Sequence, residues 1–207
     1  MKVLTEYDAE VFLEENKFPV VERRLFNDQD QALNYAEKLG FPVVLKIASD
    51  KLLHKSDVNA VRLNVYKENF RDNFKELFSA KIEKKGILVQ KYVPGKFILI
   101  GLKKDPTFGH AVAVGLGGIF TEVIKDISFR IVPISRKDAN DMLKELKGYE
   151  ILKGYRGGEA DTDVIVDVLM KVSKLSEKYE NISELDINPL IVNDSKAFVV
   201  DARIVFD

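Results

Sequence analysis

Of the two histidines in the 207-residue sequence, His54 stands in the polar run HKSD, followed by Lys55, Ser56 and Asp57. Apolar, strand-like segments flank the run, which is therefore expected to be a loop. A neutral imidazole on a loop can serve as a general base, a metal ligand or a phosphoryl acceptor. The plain alternative is a surface histidine with no chemistry. Zinc does not fit, because such a site takes three or four nitrogen, sulfur or carboxylate ligands. Cysteine is absent, which removes thiolate ligands, a cysteine nucleophile and disulfides.

Lys46 interrupts the apolar run VVLKIA. An unpaired buried ammonium is costly, so Lys46 is expected either to reach solvent from an edge strand or to meet a fixed anion such as phosphate. The glycines of GLGG, Gly115 to Gly118, permit close backbone approach to a phosphate or a tight turn. The stretch matches neither a P-loop nor GxGxxG.

The C-terminal segment LDINPLIVNDSKAFVVDARIVF is expected to form a hairpin around Asn193-Asp194-Ser195-Lys196. A turn centred on Asp194-Ser195 sets Val192 opposite Ala197, Leu190 opposite Val199, and Asn188 opposite Asp201. Strict alternation puts Leu185, Ile187, Pro189, Ile191, Phe198, Val200, Ala202 and Ile204 on one buried face. Asp186, Asn188, Asp201 and Arg203 gather at one end of the other. Opposed residues have Cβ atoms about 4.5–5.5 Å apart, so an amide oxygen and a carboxylate there can share a hard cation such as Mg²⁺. The alternative is a solvated hairpin end with an Asp186–Arg203 ion pair. Pro189 can also add a bulge that shifts the pairing by one.

The elements that must position these groups alternate along the chain. Asn27 or Asp28 is expected to open a helix through Leu39 that stops at Gly40. FPVVLKIAS and VRLNV are expected strands, and Phe70, Phe74, Leu77 and Phe78 mark one face of a helix. ILVQKYV and KFILIGL are strands separated by Pro94-Gly95, a turn signal and the expected domain boundary. HAVAVGLGGIF and FRIVPI follow as strands. Ser135 caps a helix through Leu146, and ADTDVIVDVLMKVSKLSEKY is the longest helix. The pattern predicts an α+β chain in two α/β lobes, residues 1–94 with a leading helix and 95–207 with the hairpin.

Composition sets outer bounds. A hydrophobic content of 46% with 31% charged residues describes a folded globular chain, and a formal net charge of −1 gives no field favouring nucleic acid or a membrane surface. No apolar segment is long enough to span a bilayer, and MKVLTEYDAE does not fit a signal peptide. A cytoplasmic address is expected.

Taken together, GFPVVLKIASDKLLHKSDV, DPTFG, GLGGIFTEV, LKGYRG, ELDINPLIV and VDARIV, in that order, resemble the ATP-grasp (β) subunit of ADP-forming acetyl-CoA synthetase, an NDP-forming acyl-CoA synthetase. The resemblance covers nearly the whole chain. It implies an ATP-grasp fold with largely antiparallel sheets enclosing a nucleotide cleft, and a reaction exchanging acyl-CoA, phosphate and ADP for acid, CoA and ATP. It implies a hetero-oligomer with a CoA-binding α subunit, and ATP/ADP with Mg²⁺ as cofactors. By residue, it implies that His54 accepts the phosphoryl group and that Lys46 contacts nucleotide phosphates. Gln90, Lys91, Tyr92 and Val93 would hold adenine, Gly117 and Gly118 would line the catalytic end with Glu122, and Asn188 and Asp201 would hold the metal.

Two departures stand out. Asn59-Ala60 replaces a pair of glycines usual in that family, and Phe97 replaces a glutamate. They motivate one alternative, a divergent non-catalytic nucleotide-binding or assembly subunit; a third reading is an ATP-grasp ligase with another acceptor, which does not need His54. His110 matches no functional position and is expected at the surface.

Overall fold

The computed structural model describes residues 1–51, 59–117, 125–154 and 159–207. The chain divides into two compact units, Val21–Val93 and Met1–Val20 with Pro94–Asp207.

The small unit holds a four-stranded antiparallel sheet in the order β2-β5-β3-β4, formed by β2 (Arg23–Phe26), β3 (Val43–Ala48), β4 (Val61–Val65) and β5 (Gly86–Lys91). Helices α2 (Gln29–Leu39) and α3 (Phe70–Ser79) cover one face. Asp28 starts α2 by accepting from the Gln31 N–H at 2.8 Å, and Gly40, at φ 82°, ends it. Ala32, Ala36, Phe70, Phe74 and Leu77 pack on Leu45, Ile47, Ile87 and Val89. Phe78 remains exposed.

The large unit holds a seven-stranded sheet. Its strands are β1 (Lys2–Leu4), β6 (Lys96–Asp105), β7 (Gly109–Leu116), β8 (Ile127–Ile131), β9 (Ile182–Val192), β10 (Ala197–Val199) and β11 (Ala202–Phe206). The order is β1-β11-β9-β6-β7-β8, with β10 also pairing β9, and every ladder is antiparallel. Helices α1 (Glu6–Glu15), α4 (Arg136–Lys144) and α6 (Thr162–Lys178) bury one sheet face; a short helix α5 (Tyr149–Leu152) lies between the latter two. Ser135 caps α4 in a reciprocal box with Asp138.

One expectation needs correction. The leading segment does not belong to the lobe ending at residue 94. Lys2, Val3 and Leu4 pair with Phe206, Val205 and Ile204, and Ala9 and Leu13 enter the large core, which fixes residues 1–20 to the large unit. The two units divide between Val93 and Pro94, one residue before the expected division and beside the Pro94-Gly95 turn signal. Strand β2 went unrecognised because RRLF is short and half charged. No helix among the described residues is long and apolar enough to cross a membrane.

Candidate functional site

In the small unit, β3 lies between β5 and β4, so Lys46 sits on an internal strand, opposite Leu88 on one side and Val61 on the other. Leu45 and Ile47 point into the helical core, which leaves Lys46 on the opposite sheet face. It is only 6% exposed there. A lysine reaching solvent from an edge strand is therefore excluded. Gln90, 1% exposed, lies on the same face, paired with Val44 and, across β2, with Arg23. The sheet face away from α2 and α3 thus carries two cations and an amide among apolar residues. Arg23 was not among the sequence candidates; its register with Gln90 would have found it had β2 been recognised. Lys91 is exposed, its N–H donating to the Glu22 carbonyl at 2.9 Å, and Tyr92 and Val93 end the unit.

The loop departure is absorbed locally. Asn59 takes φ 51°, a left-handed conformation that Asn tolerates better than most residues. The Ala60 methyl is fully buried in the small core, and its carbonyl accepts from the Ile47 N–H at 2.9 Å.

In the large unit the hairpin has the expected register. Ala197 pairs with Val192, Val199 with Leu190, Ala202 with Ile187 and Arg203 with Asp186. Asn188 and Asp201 fall opposite each other between these pairs, and the Asn188 N–H donates to the Asp201 carbonyl at 3.2 Å. The expected single apolar face is wrong. Leu185 and Ile187 face the core, and so do Leu190 and Val192; on the return strand Ala197, Val199, Ala202 and Ile204 do. Both strands change their alternation together at Asn188-Pro189 and Val200-Asp201. The reason lies on the other side of β9. Ile98 pairs with Leu190 and Ile100 with Ile187, so Asn188 and Pro189 together oppose the single residue Leu99, a β-bulge. The bulge expected from Pro189 occurs toward β6 and leaves the hairpin pairing intact.

This shared irregularity places Asn188, exposed, and Asp201, half-buried, on the face of the large sheet away from α1, α4 and α6. Asp186 and Arg203 flank them. Burial raises the Asp186 carboxyl above the usual range, reinforced by Glu184 and opposed by Arg203. The Arg203 guanidinium meets Glu184 at 3.6 Å. One amide oxygen and one carboxylate suit Mg²⁺, which keeps water and phosphate in the rest of its shell. Among the described residues no three His, Cys, Asp or Glu side chains converge on a metal position.

Gly117 follows β7 with its N–H donating to the Phe97 carbonyl at 2.6 Å. A Cβ on it would come within 3.0 Å of the Phe97 Cβ, so only glycine fits without adjustment. His54, Gly118 and Glu122 lie outside the described residues. His110 is half-buried rather than a plain surface residue, its Nε2 2.6 Å from the Ile182 carbonyl oxygen.

An ATP-grasp domain model matches residues 1–206. The acetate–CoA ligase [ADP-forming] II subunit beta of Pyrococcus furiosus is 44% identical over 98% of this chain and 91% of its own. Acetate–CoA ligase [ADP-forming] I of Archaeoglobus fulgidus is 46% identical over 85% of this chain but only 27% of its own, longer polypeptide. Among solved structures, acetyl-coenzyme A synthetase 1 of Ca. Korarchaeum cryptofilum, complexed with coenzyme A and Ca-AMPCP, superposes with a TM-score of 0.93 at 40% identity, covering 100% of this chain and 94% of that one. A second structure of that protein, with Mg-AMPPCP, has its phosphohistidine segment pointing towards the nucleotide binding site; its TM-score is 0.86 at 40% identity, covering 100% and 93% of the two chains. The chain belongs to the ATP-grasp family, in the branch of the ADP-forming acetate–CoA ligase β subunits.

Proposed function

We propose that this chain is the nucleotide-binding subunit of an ADP-forming acid–CoA ligase, working with a CoA-binding α partner. The carrying observation is the Asn188–Asp201 pair, opposed on the sheet face away from the apolar core in a chain of this family. In this reading Lys46 serves the nucleotide phosphates as a point charge. Gln90 to Val93 serve the adenine, and Gly117 and Gly118 line the phosphate end. Asn188 and Asp201 hold Mg²⁺, which when bound neutralises charge on the phosphates.

His54 is the phosphoryl carrier. Its imidazole nitrogen attacks the phosphoryl group carried by the partner, forming a P–N bond as the partner's own bond to that phosphorus breaks; the P–N bond then breaks in turn as a P–O bond forms to ADP. The α partner is supported by the relatives, which are either separate β subunits or a longer chain of which this segment is about a quarter. A cytoplasmic address suits a reaction that consumes intracellular nucleotide and CoA.

The test is reconstitution with the α partner, acetyl-CoA and labelled phosphate. Acid-labile label should appear on this subunit and pass into ATP once ADP is added, and both should vanish in His54→Ala. A His54→Ala enzyme making ATP at the normal rate would remove the carrier role. Calorimetry with ADP and Mg²⁺ separates the enzyme from a non-catalytic assembly subunit, which would show no binding with or without the partner.

A further inference from the structure

Three large apolar side chains of the large unit are left in water: Phe108 is 65% exposed, Phe129 60% and Ile131 53%. Phe129 and Ile131 lie on β8, alternating with Ser128 and Arg130, which bond Glu145 at the end of α4. Both apolar side chains therefore project from the sheet face away from the helices. The register sets Phe129 beside Ala113 and Gly101 in one row across β8, β7 and β6, and Ile131 beside Ala111 and Lys103 in the next. Gly101, Ala111 and Ala113 floor a hollow of about 250 Å³, with Phe129 on one side and Glu184 of β9 on the other. The fold does not demand so small a floor. A Cβ on Gly101 would make only ordinary contacts, 3.6 Å from the Ala113 Cβ and 3.8 Å from the Leu185 carbonyl oxygen.

Phe108 supplies the complementary shape. It stands in the DPTFG turn between β6 and β7, next to Asp105 at one end of the hollow. The Asp105 carboxylate accepts from the Thr107 N–H at 2.8 Å and the Phe108 N–H at 3.0 Å, and Gly109, at φ 77°, closes the turn. A ring carried on a fixed turn loses little freedom when it enters a pocket. The nucleotide reading gives this turn no role.

The open edge of β8 is not the contact. β8 ends the sheet, yet the Arg130 guanidinium donates at 2.8 Å to the Phe129 carbonyl, which the Val132–His110 hydrogen bond directs away from β7. Such a covered edge resists extension by another strand, so a partner meets the face instead. The rim of the hollow carries both signs, Lys103 and Lys104 against Asp105 and Glu184. The Lys104–Asp207 and Arg203–Glu184 pairs there are exposed and exchange partners at little cost.

Knob, hollow and balanced rim on one surface make that surface complementary to itself. We infer that it is a contact between two copies of this chain, related by a two-fold axis, in which Phe108 of each copy enters the hollow of the other. The lysines of one rim then oppose the carboxylates of the other, and the contact closes at two copies. The large unit alone carries this inference, which stands apart from the nucleotide reading.

Sedimentation equilibrium of the full chain tests it, with binding to the α partner measured alongside. The wild type should sediment with the mass of two chains. Phe108→Ser and Gly101→Val, the second of which fills the hollow, should each self-associate at least roughly tenfold more weakly, the scale of losing one aromatic anchor. Their circular dichroism spectra should match that of the wild type. Because the chain has no cysteine, Phe108→Cys mixed with Gly101→Cys gives a second reading: a disulfide should form between the two variants faster than within either alone. A wild type with the mass of one chain at every concentration overturns the inference, and so does a dimer that both substitutions leave equally strong. Loss of α binding with self-association intact would assign the surface to that partner and overturn it too.

Discussion

Asn188 and Asp201 stand opposite each other at the one point where β9 and its partner strand both abandon strict alternation. A regular hairpin would present one of every two residues to each face. Here the bulge against Leu99 releases consecutive residues, Asn188 with Pro189 and Val200 with Asp201, from the core side together. The cost is a break in a ladder; the result is a polar pair set at the edge of a fully apolar core. Bulges are frequent beside active sites because they re-aim side chains in this way.

Asp201→Asn should keep the fold, since the side chain is half-buried and lies outside the apolar core. It removes the only formal charge of the pair. Changes in groups that merely support a ligand typically cost roughly 10- to 100-fold in metal affinity, so loss of the carboxylate should cost at least that. Titrating Mg²⁺ at fixed ADP checks it. An unchanged Mg²⁺ requirement would count against the pair as ligands.

Lys46→Met keeps the apolar stem and deletes the ammonium. A hydrogen bond to a charged group is worth about 1.5–3 kcal/mol. Nucleotide affinity should therefore fall roughly 10- to 100-fold, with the circular dichroism spectrum unaltered. Adenosine, which lacks phosphates, should bind wild type and variant equally; a matching loss for adenosine would show that the lysine supports the sheet rather than the phosphates.

The hairpin register was legible because a two-residue side-chain period and a polar turn leave little freedom: Val192 with Ala197 fixes every later pair. The facing of those strands was not legible, since the bulge depends on Leu99, nearly ninety residues away in sequence. Lys46 was ambiguous for a similar reason. Whether its strand is internal or at an edge depends on β4 and β5, which local pattern does not order. The leading helix was misassigned because its partner strand is the last one in the chain. Long-range pairings, rather than local propensities, account for each difference.

Acid sensitivity should trace in part to Glu145. The Arg130 guanidinium and the Ser128 hydroxyl, the latter at 2.6 Å, hold its carboxyl below the usual carboxylate range. A lowered value in the folded state means that this contribution is complete above the ordinary glutamate pKa and fades as pH falls through the folded one. Glu145→Gln should therefore be less stable than wild type at neutral pH, with the gap closing in acid. Urea midpoints between pH 7 and pH 3 read this directly. Because both partners are partly exposed, added salt should shrink the gap as well.

Gly117→Ala tests how tightly the two ends of the β6–β7 ladder are drawn together. The added Cβ would lie 3.0 Å from the carbonyl carbon and Cβ of Phe97 and 3.1 Å from its oxygen. Those are mostly backbone atoms, so no side-chain rotation relieves the contact, and the 2.6 Å hydrogen bond between the same residues must lengthen. Overpacking of this kind typically costs about 1–3 kcal/mol. Gly101→Ala is the control on the same two strands: its Cβ would meet Ala113 at 3.6 Å, an ordinary contact, and should leave stability within about 0.5 kcal/mol. Thermal melts of the two variants should differ clearly. Equal melting temperatures would mean that the Phe97–Gly117 approach has slack, and a bare backbone beside the ring would then not be a structural requirement.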